Sequence, residues 1–277
     1  MTPTISIVTC SYNQAAFLDT TIRSVVAQKI EGLEYFVVNG GSTDGSVDIL
    51  RRHEIDLAGW VSEKDGGQSE AINKGLQRAS GEVVGWLCSD DVLLDGALSE
   101  VLEFFARHPD VDAVYGDAVL IDGKGRPLRM KHEIGFMPWL LAFDHNYIPQ
   151  PSMFWRRRVH EKIGYLREDL HLTMDLELWL RFARAGLKVA HVRRCWSGMR
   201  CHDSQKVFTQ HDAIRSENAE LRQHYGDAVT RMLPLPVVRA LARATRVVTK
   251  GLQGGYVKSV PESVRLSLQR LHAVAGK

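Results

Sequence analysis

The sequence predicts an α/β fold: a mainly parallel central sheet with helices on both faces, followed by a basic helical C-terminal extension. Three observations lead there. Four short apolar runs, at residues 5–8, 35–38, 60–62 and 83–87, have the length and make-up of buried strands. Segments of helical periodicity separate them, which implies right-handed crossovers and parallel pairing. Each run also ends in a polar loop, and in sheets of this kind ligands bind beyond the carboxyl ends of the strands.

The first run leads into Thr9-Cys10-Ser11-Tyr12-Asn13 and then a helix with Leu18, Ile22, Val25 and Val26 on one face. The second ends at Asn39-Gly40-Gly41-Ser42-Thr43-Asp44-Gly45, before a helix carrying Val47, Ile49 and Leu50. After the third comes Asp65-Gly66-Gly67-Gln68 and a helix with Ile72 and Leu76. The fourth ends at Ser89-Asp90-Asp91, and a helix over 96–107 follows, with Asp95 placed to cap it. Residues 116–129 read as strands and turns, 138–143 as a helix, 144–152 as a loop, and 154–164 and 176–185 as helices. Pro234 and Pro236 mark a boundary, giving a main domain at 1–233 and an extension at 234–277.

Composition excludes several classes. A chain of 277 residues with 44% hydrophobic and 25% charged residues can build a large core and is not disordered. Cys10, Cys88, Cys195 and Cys201 match neither a zinc site nor a disulfide framework, so a reducing cytosol is expected. The N-terminus shows no leader and no run reaches the length of a spanning helix. The net charge of +2 conceals a segregation: residues 231–277 hold nine Lys or Arg against Glu262, or +8, which leaves −6 for the remainder.

The chemistry concentrates at Asp90-Asp91. Adjacent carboxylates after a buried strand repel each other, and a divalent cation relieves the repulsion. Mg²⁺ and Mn²⁺ take oxygen ligands and are commonly held by one or two carboxylates plus substrate phosphates. Taken alone, the pair also reads as a solvated turn. The glycines from Gly40 let backbone N–H groups approach an anionic ligand at a helix N-terminus, which is also what an ordinary strand-to-helix turn looks like. Asp65 suits a nucleobase edge or ribose, or equally a turn cap.

In order and spacing, I-S-I-V-T-C-S-Y-N, V-V-N-G-G-S-T-D-G-S, S-E-K-D-G-G-Q-S-E-A-I-N-K-G, S-G-E-V-V-G-W-L-C-S-D-D and M-D-L-E-L-W-L-R resemble the inverting family 2 glycosyltransferases of GT-A fold, over roughly residues 4–204. The resemblance implies transfer of a sugar from a nucleotide diphosphate sugar to a hydroxyl of a glycan or lipid-linked acceptor, in bacterial surface polysaccharide or glycolipid synthesis. It implies a cation, Mn²⁺ or Mg²⁺, held by Asp91 and Asp90 with His202 completing the site, and Asp175 as the base. Glu177, two residues on and about 200° around a helix, competes for that role. An N-cap function for Asp175 stays open. Donor contacts are expected from Thr9, Cys10, Tyr12, Asn39, Gly40, Asp65, Gln68, Asp90 and Arg200. The segment Arg200-Cys201-His202-Asp203-Ser204 resembles the family's late R-x-H-x-x-S with one residue fewer. Gln150-Pro151-Ser152 and Gly116-Asp117 resemble positions near the acceptor cleft. Similar proteins usually carry Asp where this chain has Asn39, which leaves uridine as first choice of base with guanosine and deoxythymidine open.

In the extension, Arg239, Arg243 and Arg246 form one stripe of a helix whose remaining surface is largely apolar. Such a helix suits an anionic membrane surface, with the enzyme in the cytoplasm against the inner face of the plasma membrane, or it packs on the domain with its arginines in water. Nucleic acid is not expected, since no aromatic platform accompanies the arginines. Two other functions fit this neighbourhood of sequence, a sugar-phosphate nucleotidyltransferase and a non-catalytic nucleotide-sugar-binding module. The first calls for a glycine-rich basic loop after strand one, which Ser11-Tyr12-Asn13-Gln14 is not.

Overall fold

The computed structural model describes residues 4–203, 205, 209–230 and 232–275. Its strands are β1 (Ile5–Ser11), β2 (Glu34–Asn39), β3 (Gly59–Ser62), β4 (Val83–Cys88), β5 (Val92–Leu93), β6 (Ala113–Ile121), β7 (Pro127–Lys131), β8 (Met153–Arg156) and β9 (Val189–Arg200). The helices are α1 (Ala15–Val26), α2 (Ser46–Arg52), α3 (Gln68–Arg78), α4 (Ala97–Arg107), α5 (Pro138–Phe143), α6 (Val159–Ile163), α7 (Met174–Arg184), α8 (His211–Thr230), α9 (Leu235–Leu252) and α10 (Glu262–Ala275).

All nine strands join one sheet in the order β3-β2-β1-β4-β8-β6-β9-β5, with β7 on β6. The expected parallel pairing is found in β3-β2-β1-β4. Beyond β4 the sheet is mixed, because β8 runs antiparallel to both β4 and β6 while β9 runs parallel to β6. One core layer packs α1, α2 and α4 on the sheet through Leu18, Ile22, Leu50, Leu98 and Phe105. The opposite layer packs α3, α5 and α7 through Ile72, Leu76, Leu140, Leu178 and Trp179.

Two local expectations are corrected. Residues 154–164 are not one helix: Met153–Arg156 is a strand buried throughout, and only Val159–Ile163 is helical. Asp95 does not cap α4. Gly96, at φ +77°, takes the N-cap position, and the Asp95 carboxylate instead accepts a bond from Arg270 at 2.9 Å.

The segment after Pro234 is folded onto the rest. α10 builds a third apolar cluster, in which Val264, Leu268 and Leu271 meet Val92, Leu94, Val119 and Ile121. Ser267 Oγ accepts the Asp95 N–H at 2.9 Å. α9 packs against α5 and α8, and no helix among the described residues is long and apolar enough to cross a membrane.

Candidate active site

β4 is the centre of the site. Its chain leaves the sheet at Cys88 and turns through Ser89, Asp90 and Asp91, pinned by Thr21 Oγ1, which donates to the carbonyls of Ser89 (2.8 Å) and Asp91 (2.7 Å). Ser89 Oγ donates to Gln14 Oε1 at 2.5 Å. The short β5 then pairs antiparallel with β9, so the end of β9 runs beside the aspartate turn. There the Arg200 N–H donates to Asp91 Oδ1 at 2.9 Å.

Both aspartates are only 7% exposed. Burial, then the neighbouring Asp90 charge, pushes the Asp91 carboxyl well above the usual carboxylate range. Asp90 Oδ2 meets His202 Nε2 at 3.1 Å and accepts from Gln205 Nε2 at 3.2 Å. The described hydrogen bonds thus engage Oδ2 of Asp90 and Oδ1 of Asp91, and the other oxygen of each carboxylate accepts none of them. Ligand atoms of Cys88, Asp90 and Asp91 lie within 4.8 Å of one another, a spacing that fits a cation. The two carboxylates are the hard oxygen donors that Mg²⁺ and Mn²⁺ take, whereas a thiol is soft. Hydrogen bonding with Cys10, together with burial, also pushes the Cys88 thiol up and holds it protonated. His202 stands outside that group, on the Asp90 carboxylate and with its ring 4.7 Å from that of Phe17. Ser204, the last residue of the late motif, lies outside the described residues.

Arg200, expected as a donor contact, is turned into the protein. It is 4% exposed, its Nε donates to the Asp90 carbonyl at 2.7 Å, and its Nη1 donates to the carbonyls of Asp122 (3.2 Å) and Gly123 (3.1 Å). Its cation also lies 4.8 Å from the Phe17 ring centroid. In this geometry Arg200 braces the aspartate turn.

The loops after β1, β2 and β3 form the adjoining edge. Thr9 is fully buried, its hydroxyl 2.9 Å from that of Tyr35, so its side chain belongs to the core. Cys10 is likewise buried, whereas Tyr12 is exposed on the rim. Asn39 is fully buried and folds its own loop, with Nδ2 donating to Ser42 Oγ at 2.8 Å and Oδ1 accepting from Ser42 N (2.8 Å) and Ser62 Oγ (3.0 Å). Gly40 lies directly under Asp65: a Cβ built on it would come 2.9 Å from Asp65 Oδ2. Asp65 Oδ1 accepts the Gly67 N–H at 3.0 Å, and burial raises its carboxyl. Gln68 Nε2 donates to Cys88 Sγ at 3.2 Å, tying the β3 loop to the end of β4.

α7 carries Asp175. Trp179 stacks on Trp86 of β4 at 5.7 Å between centroids and 13° between planes, with Trp155 edge-on to both. This seats α7 on the strand that leads into the aspartate turn, and Asp175 is one turn ahead of Trp179 on the same helix face. The loop before α7 is fixed by the Glu217 carboxylate, which accepts from the N–H groups of His171 (3.1 Å), Leu172 (3.1 Å) and Thr173 (2.9 Å) and from Thr173 Oγ1 (2.8 Å). It is also held by α3, where Ser69 Oγ donates to the Leu170 carbonyl at 2.8 Å.

Asp175 is not the N-cap, a position taken by Thr173. Its Oδ2 accepts a 2.7 Å bond from Asn146 Nδ2, and burial pushes its carboxyl up to about 6. Glu177 turns inward, 1% exposed, to Arg181 Nε (2.8 Å) and Tyr225 OH (2.8 Å), so it is committed to packing. Asn146 stands in a loop without pattern and sequence reasoning passed over it. So it did Cys88 and Glu217. Of the acceptor-side motifs, Gln150 bonds the Trp86 carbonyl at 2.7 Å, next to Cys88. Asp117 is buried between His132 (2.6 Å) and His191 (2.9 Å).

The sequence model of glycosyl transferase family 2 matches residues 6–166, more than half of the chain. The chain belongs to glycosyl transferase family 2. Among relatives of this family it is 29% identical over 198 residues to TuaG of Bacillus subtilis, provisionally described as a teichuronic acid biosynthesis glycosyltransferase, covering 70% of this chain and 77% of that one. An uncharacterized family glycosyltransferase of Rickettsia felis is 29% identical over 66% of this chain, and the match spans only 32% of that protein's length. The fold is GT-A. Staphylococcus aureus TarS, solved with UDP-GlcNAc, superposes with a TM-score of 0.60 at 18% identity, covering 73% of this chain and 60% of that one. The mannosyltransferase PcManGT of Pyrobaculum calidifontis, solved with GDP-Man and Mn²⁺, does so with a TM-score of 0.60 at 19% identity, over 100% of this chain and 81% of that one.

Proposed function

We propose that this family 2 glycosyltransferase is metal-dependent and inverting, moving a sugar from a nucleotide diphosphate sugar to a glycan or lipid-linked hydroxyl in surface polysaccharide or glycolipid synthesis. The observation that carries the reading is the buried Asp90-Asp91 pair at the carboxyl end of β4, with one oxygen of each carboxylate outside the hydrogen bonds of the described residues. Asp90 and Asp91 would hold Mn²⁺ or Mg²⁺, which as a Lewis acid stabilises charge on the departing diphosphate. The Mn²⁺ in PcManGT supports that choice.

Asp65, over the space that Gly40 leaves, receives the nucleoside. The UDP-sugar of TarS supports uridine as first choice and the GDP-Man of PcManGT keeps guanosine in view. Asp175 takes the acceptor proton on the face opposite the leaving group. A carboxyl pushed up to about 6 is largely ionised at neutral pH and still basic enough to accept a proton. Asn146 orients it. The polysaccharide role leans on TuaG.

Thermal shift with UDP, GDP, dTDP and CDP, each with and without Mn²⁺, tests this, because a ligand that binds only the folded state raises the melting temperature. One nucleotide should stabilise the chain in a metal-dependent way. Asp91→Asn should abolish the metal dependence, and Asp175→Asn should keep nucleotide binding while losing transfer. Metal-independent shifts for every nucleotide would overturn the reading.

A further inference from the structure

Cys88 is the last residue of β4, where the chain enters the turn that carries Asp90 and Asp91. Its Sγ belongs to one cluster with a carboxylate oxygen of each aspartate, the three ligand atoms lying within 4.8 Å of one another. The sulfur is also held from outside that cluster. Gln68 Nε2 donates to it at 3.2 Å, and its own thiol donates to Gln150 Oε1 at 3.6 Å, on an amide that the Trp86 carbonyl anchors at 2.7 Å. A donor aimed at sulfur bonds a thiolate more strongly than a thiol, and outer bonds of this kind orient a ligand and tune the metal it takes. For Mn²⁺ and Mg²⁺, which select oxygen, Cys88 stays a neighbour of the site. Zn²⁺ takes thiolate and carboxylate alike, and for such a borderline cation the soft sulfur beside two hard oxygens is a third ligand.

We propose, resting on the reading of Asp90 and Asp91 as cation ligands, that the same position takes Zn²⁺ with Cys88 Sγ as a third protein ligand, and that Zn²⁺ held this way blocks transfer. On binding, the S–H bond breaks, the sulfur gives the electron pair to the cation and the proton leaves to solvent. Four-coordinate Zn²⁺ with three protein ligands keeps one position for a diphosphate oxygen. A six-coordinate Mn²⁺ on the two aspartates keeps room for an oxygen of each phosphate and for water. The zinc form therefore cannot clamp both phosphates of the leaving group.

Any site of this kind favours Zn²⁺ over Mn²⁺ to some degree, so the test isolates what Cys88 adds. Co²⁺, the visible stand-in for Zn²⁺, is titrated into the full chain. It should raise a sulfur-to-cobalt charge-transfer band in the near ultraviolet and release a proton, and Zn²⁺ should then displace it. The band should be lost in Cys88→Ser and in Asp91→Asn and kept in Cys201→Ser, which removes the partly buried thiol just past β9. In calorimetric titration, Cys88→Ser and Cys88→Ala should each weaken Zn²⁺ binding by about tenfold or more, with Mn²⁺ affinity within about threefold of the parent. A cobalt spectrum without the band, while Mn²⁺ still binds through Asp91, would overturn the proposal and leave the metal reading standing. A band that Cys88→Ser removes, with no Mn²⁺ binding, would uphold the proposal and count against Mn²⁺ as the working ion. A band or a Zn²⁺ affinity indifferent to Cys88→Ser would overturn it.

Discussion

Asn146→Ala removes the amide that donates to Asp175 Oδ2 at 2.7 Å. A hydrogen bond to a charged group contributes about 1.5–3 kcal/mol, and each pKa unit corresponds to roughly 1.4 kcal/mol. With water recovering part of the loss, the Asp175 carboxyl should rise by about one unit. It begins at about 6, so the acid limb of the rate profile should move from about 6 towards neutrality. The sign is fixed by the mechanism, since the base works only when ionised and losing a donor favours its protonated form. Protonation alone then costs about fivefold in rate at pH 6 and about twofold at pH 7, with little change above pH 8. The assay is nucleoside diphosphate release from the donor at saturating Mn²⁺ across pH 5–9. An acid limb that stays in place in Asn146→Ala, or that persists in Asp175→Asn, would refute the assignment.

Further outcomes follow from the same geometry. Asp175→Asn should raise stability at neutral pH by about 1–2 kcal/mol, because a carboxyl raised by burial costs the fold stability as pH climbs from 3.8 to about 6, and that cost is fully present above it. Chemical denaturation at pH 4 and 8 should show a much smaller gain at the lower pH, the difference opening between the two. Arg200→Met leaves the carbonyls of Asp90, Asp122 and Gly123 without their donor and should cost about 3–5 kcal/mol. Its melting temperature should fall by roughly 10 °C. Gly40→Ala presses on the Asp65 carboxylate 2.9 Å away, the movable end of a side chain. Nucleotide affinity should drop severalfold in calorimetric titration, with the melting temperature of the free protein within about 2 °C of the parent.

The parallel half of the sheet was legible because its strands are short apolar runs punctuated by polar loops, and those loops are where Asp65, Gln68, Asp90 and Asp91 stand. What stayed hidden depends on contacts distant in sequence. The Met153–Arg156 strand is buried on both faces, so it lacks the alternation that separates strand from helix. Asp95 looks like a cap until Arg270 arrives from far along the chain. Arg200 reads as a donor contact from its motif, yet the carbonyls it serves come from the turn after β4 and from the turn after β6. Val264, Leu268 and Leu271 repeat at helical spacing, but the strands they cover are more than a hundred residues earlier. Asn146 and Glu217 have no local pattern, and only the fold brings them to Asp175 and its loop.

The most direct measurement is an anomalous difference map from crystals grown with Mn²⁺ and the nucleotide diphosphate that shifts the melting temperature. A manganese peak between the carboxylates of Asp90 and Asp91 and the diphosphate, absent in Asp91→Asn, is the predicted result. Diphosphate bound without the ion, or manganese elsewhere while both carboxylates keep only their protein hydrogen bonds, would contradict it.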